Sequence, residues 1–173
     1  MSQLLPGNAL GFVIVDLGRL YRQAFEKAVI DAGLELTPGE IRALAYVGRY
    51  SGSRQAVLAE RMGVEPMTLS AYLDRLEARG LISRSVDPND RRAKVIAPTN
   101  SAERVFEEAR PVALAVYERT VSGLSEDERK TVDMIMRKMR ANLTNIPLSD
   151  SDDAPDDRAA LADVGEDTVK GAA

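Results

Sequence analysis

The side chains in this sequence best placed to do chemistry are arginines. Between Leu36 and Thr99 ten basic residues stand against seven acids, and nine of the ten are Arg. A guanidinium donates two parallel hydrogen bonds in a rigid fork, which suits phosphate oxygens and the edge of guanine better than an ammonium does. Catalysis has little to draw on. The chain has no histidine and no cysteine, so the commonest general base, the commonest zinc ligand, thiolate metal sites and thiol redox chemistry are excluded. The dense carboxylates lie at the C-terminus or on helix surfaces and do not converge. The sequence therefore reads as a non-enzyme with no catalytic residue, metal or cofactor.

The overall charge of −4 opposes a polyanion partner until it is divided along the chain. Residues 148–173 hold eight acids and two bases, a net −6, which leaves +2 on the remainder. Two groups of residues then stand out as candidate contacts. Met67, Thr68, Ser70 and Ala71 lie near the N-terminal end of an expected helix, and Arg75 further along it could reach phosphate or pair with the acids around Asp74 and Glu77. Asp90, Arg91, Arg92 and Lys94 belong to a basic hairpin. Arg84 at the hairpin base is either a contact or a structural residue.

The elements that must position these groups follow from periodicity. Apolar residues at Leu10, Val13, Ile14, Leu17, Leu20, Tyr21, Ala24 and Ala28 give a helix over 8–32 that Gly33 stops, and its Phe12 to Val15 portion is apolar round more than one face, as an intersubunit contact would require. Thr37-Pro38-Gly39-Glu40 is a capping box with proline at the first helical position. The helix it opens should bury Ile41, Leu44, Ala45 and Gly48. Helices over Gln55–Met62 and Pro66–Arg79, separated by Gly63-Val64-Glu65, have helix-turn-helix spacing, and Leu69, Tyr72, Leu73 and Leu76 should face the core. Strands over 81–86 and 93–97 bracket the tip Asp87-Pro88-Asn89-Asp90-Arg91-Arg92, forming a wing. A helix over 101–122 carries an apolar stripe from Val105 to Tyr117, with Pro111 expected to kink it. Ser125-Glu126-Asp127-Glu128 is a second capping box, opening a helix to Leu143. The acidic stretch 147–173 is too poor in large apolar residues to offset its ordering entropy and is expected to be disordered.

At 173 residues the chain can bury one ordinary core. No stretch approaches the roughly 18 apolar residues of a membrane span, and the N-terminus lacks a signal-peptide pattern. A soluble, cytoplasmic protein without a membrane partner is expected.

With this order of elements in hand, the sequence resembles the MarR family of winged helix-turn-helix regulators over about Leu10 to Leu143. The resemblance rests on Leu58-Ala59-Glu60-Arg61-Met62-Gly63-Val64, on Leu73-Asp74-Arg75-Leu76-Glu77-Ala78-Arg79-Gly80-Leu81-Ile82 and on the wing Asp87-Pro88-Asn89-Asp90-Arg91-Arg92-Ala93-Lys94, all in register. It implies a mainly α fold with a small β-wing: a winged helix-turn-helix lobe over 36–99 on a helical dimerisation platform of 8–32, 101–122 and 125–143, together forming one domain, 8–146, ahead of the acidic tail. It also implies a homodimeric repressor that binds a pseudo-palindromic site on double-stranded DNA, and a small aromatic or phenolic effector that releases it. Asp90 would fix the Arg92 guanidinium for the minor groove. Many members carry an arginine where this chain has Ala71, so a different base, such as thymine through its methyl, would be read there. Tyr21, Phe25, Tyr46 and Tyr50, with Arg22 nearby, either line an effector cleft or are plain core. The rival reading is a winged-helix protein-interaction module that has lost DNA binding.

Overall fold

The structure is a computed structural model that describes residues 9–88 and 90–144. Asn89 at the hairpin tip and the acidic segment 147–173 lie outside the described residues. The described residues divide into two compact units, one ending at residue 122 and the other starting at residue 123. The first holds α1 (Ala9–Asp31), α2 (Pro38–Arg49), β1 (Ser53–Arg54), α3 (Gln55–Met62), α4 (Pro66–Ala78), β2 (Ile82–Asp87), β3 (Asp90–Pro98) and α5 (Ala102–Thr120).

Local chemistry sets the helix boundaries. Thr37 Oγ1 accepts from the Glu40 N–H at 3.3 Å, and the Thr37 N–H donates to the Glu40 carboxylate at 2.9 Å, so the expected capping box forms with Pro38 in the first turn. Between α3 and α4, Gly63 takes φ +66, a left-handed conformation that carries the chain round the turn without a Cβ penalty. Pro66 then starts α4, whose Leu69, Leu73 and Leu76 are fully buried while Tyr72 is half-buried. They meet Ile41, Leu44 and Val47 of α2 and Leu58 of α3 in one core, where each fully buried leucine contributes about 1.5–3 kcal/mol relative to an exposed one. On α2 the buried stripe is Glu40, Ile41, Ala43, Leu44 and Val47. Ala45 and Gly48, expected on it, are exposed, because the helix is rotated to turn the Glu40 carboxylate inward.

The sheet is larger than the expected hairpin. β1 joins as a third strand in the order β1-β3-β2, with Ser53 opposite Ile96 and Arg54 opposite Val95, all antiparallel. The first hairpin strand is shifted by one from the expected 81–86, and the second runs well beyond 93–97, so Asp90, Arg91 and Arg92 belong to β3. Gly80 at φ +72 and a Thr99 hydroxyl bond to the Gly80 carbonyl at 2.6 Å close the hairpin base onto the end of α4.

α1 and α5 pack on each other and on α2. α5 runs unbroken through Pro111 and buries Ala102, Ala109 and Val116 at intervals of seven; its expected stripe is buried or half-buried from Val105 to Val116, while Tyr117 is exposed. Of α1 only Val29 is buried, and Leu10, Phe12, Val13, Val15, Leu17 and Leu20 are exposed. The second unit contains α6 (Glu126–Thr144), opened by the reciprocal Ser125 and Glu128 bonds at 2.8 and 3.3 Å. Val132, Ile135, Met136 and Leu143 are exposed on it. No described helix is long and apolar enough to cross a membrane.

Candidate nucleic-acid interface

α4 presents its N-terminal turns to solvent. Met67, Thr68 and Ala71 are exposed and Ser70 is half-buried. The first-turn N–H groups have no side-chain cap from Glu65, so this end offers free backbone donors and the positive end of the helix dipole. Such an end can hold an anion, and the short side chains on it let another surface approach closely.

The helix is fixed from behind by a cluster the sequence reading did not foresee. Arg75 neither pairs with Glu77 nor stands free: its Nε donates to the Glu40 carboxylate, the side chain of which is 4% exposed. Arg75 also lies 5.5 Å over the Tyr72 ring, and that ring sits where a Cβ on Gly39 would be, 2.5–2.9 Å from its ring atoms and hydroxyl. The first turn of α2 thus docks on the middle of α4 through the open face of Gly39 and the buried carboxylate of Glu40. Burial alone would raise the Glu40 carboxyl, but bonds from the Thr37 N–H and from Arg75 outweigh it and hold it below the usual carboxylate range. Arg84 proves structural. Its side chain is 15% exposed and bridges Asp74, at 2.7 Å, and Glu77, tying β2 to the outer face of α4.

The wing is built on a bulge. Val86 faces Lys94 but Asp87 faces Asp90, so Arg91, Arg92 and Ala93 bulge out of the ladder. A bulge frees backbone donors that need a partner. Asp90 supplies one, its Oδ1 accepting from the Arg92 N–H at 3.1 Å. The expectation that Asp90 holds the Arg92 guanidinium is corrected here: its other oxygen faces Arg54 Nη1 at 3.5 Å, and Arg54 Nε donates to the nearly buried Asp87 at 2.7 Å. Arg54 therefore clasps both wing acids from the start of α3. Asp90 positions Arg92 through its backbone, which leaves the guanidinium exposed. Arg91, Arg92 and Lys94 are all exposed and have no carboxylate partner among the described residues. Three uncompensated cations on a bulged hairpin can contact phosphates or enter a narrow groove of negative potential.

The aromatic residues divide differently. Phe25, Tyr46 and Tyr50 pack against the core, with the Tyr46 and Tyr50 rings 6.0 Å apart, while Tyr21 and Arg22 lie on the exposed surface of α1. None lines a cleft of about 560 Å³ in the first unit, although Arg22 borders a second one of about 550 Å³ along α1. The 560 Å³ cleft lies among the loop 34–36, Ile41, Arg79, Leu81 and the start of α5; Arg79, Arg104, Glu35 and Glu108 are its charged lining, with Arg104 paired to Glu108 at 2.9 Å. Periodicity could not reveal it, because its walls come from loop residues and helix ends.

The MarR family profile matches residues 36–94. Three solved structures cover the chain broadly. A MarR-family transcriptional regulator from Silicibacter pomeroyi is 25% identical over 86% of this chain and 99% of its own, with a TM-score of 0.69. A MarR-family regulator from Rhodococcus sp. RHA1 is 26% identical over 85% and 100%, with a TM-score of 0.66. CouR from Rhodococcus jostii RHA1, bound to p-coumaroyl-CoA, is 27% identical over 86% and 100%, with a TM-score of 0.63. Residues 36–94 are a MarR-family domain, and the chain around them has the fold of the MarR-family transcriptional regulators.

Proposed function

We propose that this protein is a sequence-specific DNA-binding repressor that acts as a homodimer on a pseudo-palindromic operator and is released by a small aromatic or phenolic effector. The observation that carries the reading is the pairing, in one lobe, of an exposed α4 N-terminus with three uncompensated cations on the wing. In this reading α4 enters the major groove with Met67, Thr68, Ser70 and Ala71 toward the bases, while Arg75 turns its remaining Nη groups to phosphate. Arg92 reaches the minor groove, and Arg91 and Lys94 contact the backbone.

The dimer rests on the exposed apolar length of α1, where Phe12 and Val15 are 67% and 73% exposed. A contiguous patch of that kind is ordinarily covered in solution. The apolar side of α6 supports the same assignment, which makes 8–32, 101–122 and 125–143 the platform and 36–99 the DNA-binding lobe. The effector rests on the cleft beside Arg79 and Arg104 and on the p-coumaroyl-CoA bound to CouR. A ligand there can release DNA only through different affinities for two arrangements of the lobes.

The test is binding of the purified chain to mixed genomic fragments across a salt titration. Affinity falling steeply with salt is expected, as phosphate contacts require. Absence of duplex binding at low salt would refute the reading and favour a winged-helix module for a protein partner.

A further inference from the structure

The outward side of α4 has almost nothing with which to read bases by hydrogen bonding. The helix contains no Lys, Asn or Gln, and each of its three charged side chains already has a partner: Asp74 and Glu77 hold Arg84, and Arg75 is anchored through Nε to Glu40. The bidentate pairs that identify guanine or adenine therefore lack their usual side chains at the exposed N-terminal turns. What does stand there is apolar. Met67 is 82% exposed, and Ala71, four residues on and so on the same helix face, is exposed too. Between them Thr68 presents a methyl beside its hydroxyl. A methionine left so open on a helix whose three leucines are all buried has no role in the core. In the major groove the distinctive apolar feature is the thymine 5-methyl group.

We infer that α4 reads its site through thymine methyl groups, with Met67 and Ala71 as the specificity-determining contacts; this rests on the DNA-binding reading above. Each contact buries about one methyl-sized group. Discrimination at each position is thus modest, and most of the affinity comes from the wing cations and the helix N-terminus. Half-sites should carry thymines spaced to meet residues one helical turn apart.

The test uses duplexes selected from a random pool by the full chain, with each thymine replaced in turn by deoxyuridine, which removes only the methyl. At the positions facing α4, uracil should weaken binding about fourfold, equivalent to about 0.8 kcal/mol. Met67→Ala, at an exposed position that should leave the melting curve unchanged, should abolish the uracil penalty at one of them, and Ala71→Gly should abolish it at another. Salt-dependent binding that ignores uracil throughout would overturn the inference and leave the DNA-binding reading standing. A uracil penalty that survives in both variants would also overturn it, since other residues would be reading the methyl. Failure to enrich or bind any duplex would remove the DNA-binding reading itself.

Discussion

Replacing Glu40 by alanine should lower stability by about 2 kcal/mol, and the size of the loss can be assembled from its contacts. The carboxylate accepts the Thr37 N–H at 2.9 Å, and removing it breaks the capping box of α2, which costs about 1 kcal/mol. It also leaves Arg75 without its partner. Breaking a fully buried pair costs about 3–5 kcal/mol, but here the cation left behind is 53% exposed and water can solvate it, so about 1 kcal/mol is expected. For a chain of this length the sum lowers Tm by roughly 4–8 °C. Glu40→Gln keeps the shape and an acceptor for Thr37 while removing only the charge, and should lose about half as much. The pH dependence follows from the sign of the shift. Because the folded carboxyl titrates below its ordinary 4.5, its contribution is complete above that value and is lost as pH falls through the lower folded value. The gap between parent and Glu40→Gln should therefore be widest at neutral pH and close in acid. Thermal melts followed by far-ultraviolet circular dichroism measure both. Equal melting of parent and Glu40→Ala, or a gap that persists unchanged in acid, would refute the argument.

Gly39→Ala should destabilise by about 1–3 kcal/mol, because its Cβ would lie 2.5 Å from the Tyr72 ring; a melt no lower than the parent's would show that the ring has room to move. Arg92→Ala should weaken duplex binding by about 1–3 kcal/mol per subunit and leave the fold intact, as a salt titration and a melting curve would show. Asp90→Ala should produce a smaller loss in the same direction by releasing the Arg92 N–H, and the double variant should fall short of the sum. Sedimentation at micromolar concentration should give twice the chain mass, and a stable monomer would count against α1 as an interface.

The elements specified by neighbouring residues were legible in the sequence. Thr37 and Glu40 are three apart and form the expected box; Gly63 and Pro66 bound the turn between α3 and α4; Leu69, Leu73 and Leu76 are buried as their spacing requires. What the sequence hid are pairings between distant segments. Arg75 meets Glu40 across 35 positions and Arg54 meets Asp87 across 33, and β1 is two residues long, too short to show any alternation. One signal was present nonetheless. Glu40, Leu44 and Val47 follow one another at helical spacing, so a charge at 40 had to be carried inward with them, and a buried carboxylate requires a cation. The candidate site was legible as a set of positions, whereas the mechanism holding Arg92 was not: the bulge that frees its N–H arises from a register jump invisible in composition.

The sequence left open whether Arg75 and Arg84 are contacts or internal partners, and the structure divides the lobe's basic residues into two groups. Arg54, Arg75 and Arg84 are bound to acids from other elements and set the angles between α2, α4 and the wing. Arg91, Arg92 and Lys94 are uncompensated and stand together on the bulge. Salt acts differently on the two groups. The Glu40 and Asp87 pairs each have one nearly buried partner, so screening by ions reaches them weakly, while the wing cations are open to it. Under the proposed function, raising salt should therefore release DNA from an unaltered lobe, with each lost phosphate contact adding about −0.9 to the slope of log affinity against log salt. A lobe that loosened in salt along with its DNA would mean that the internal arginines are not the clamps their geometry makes them.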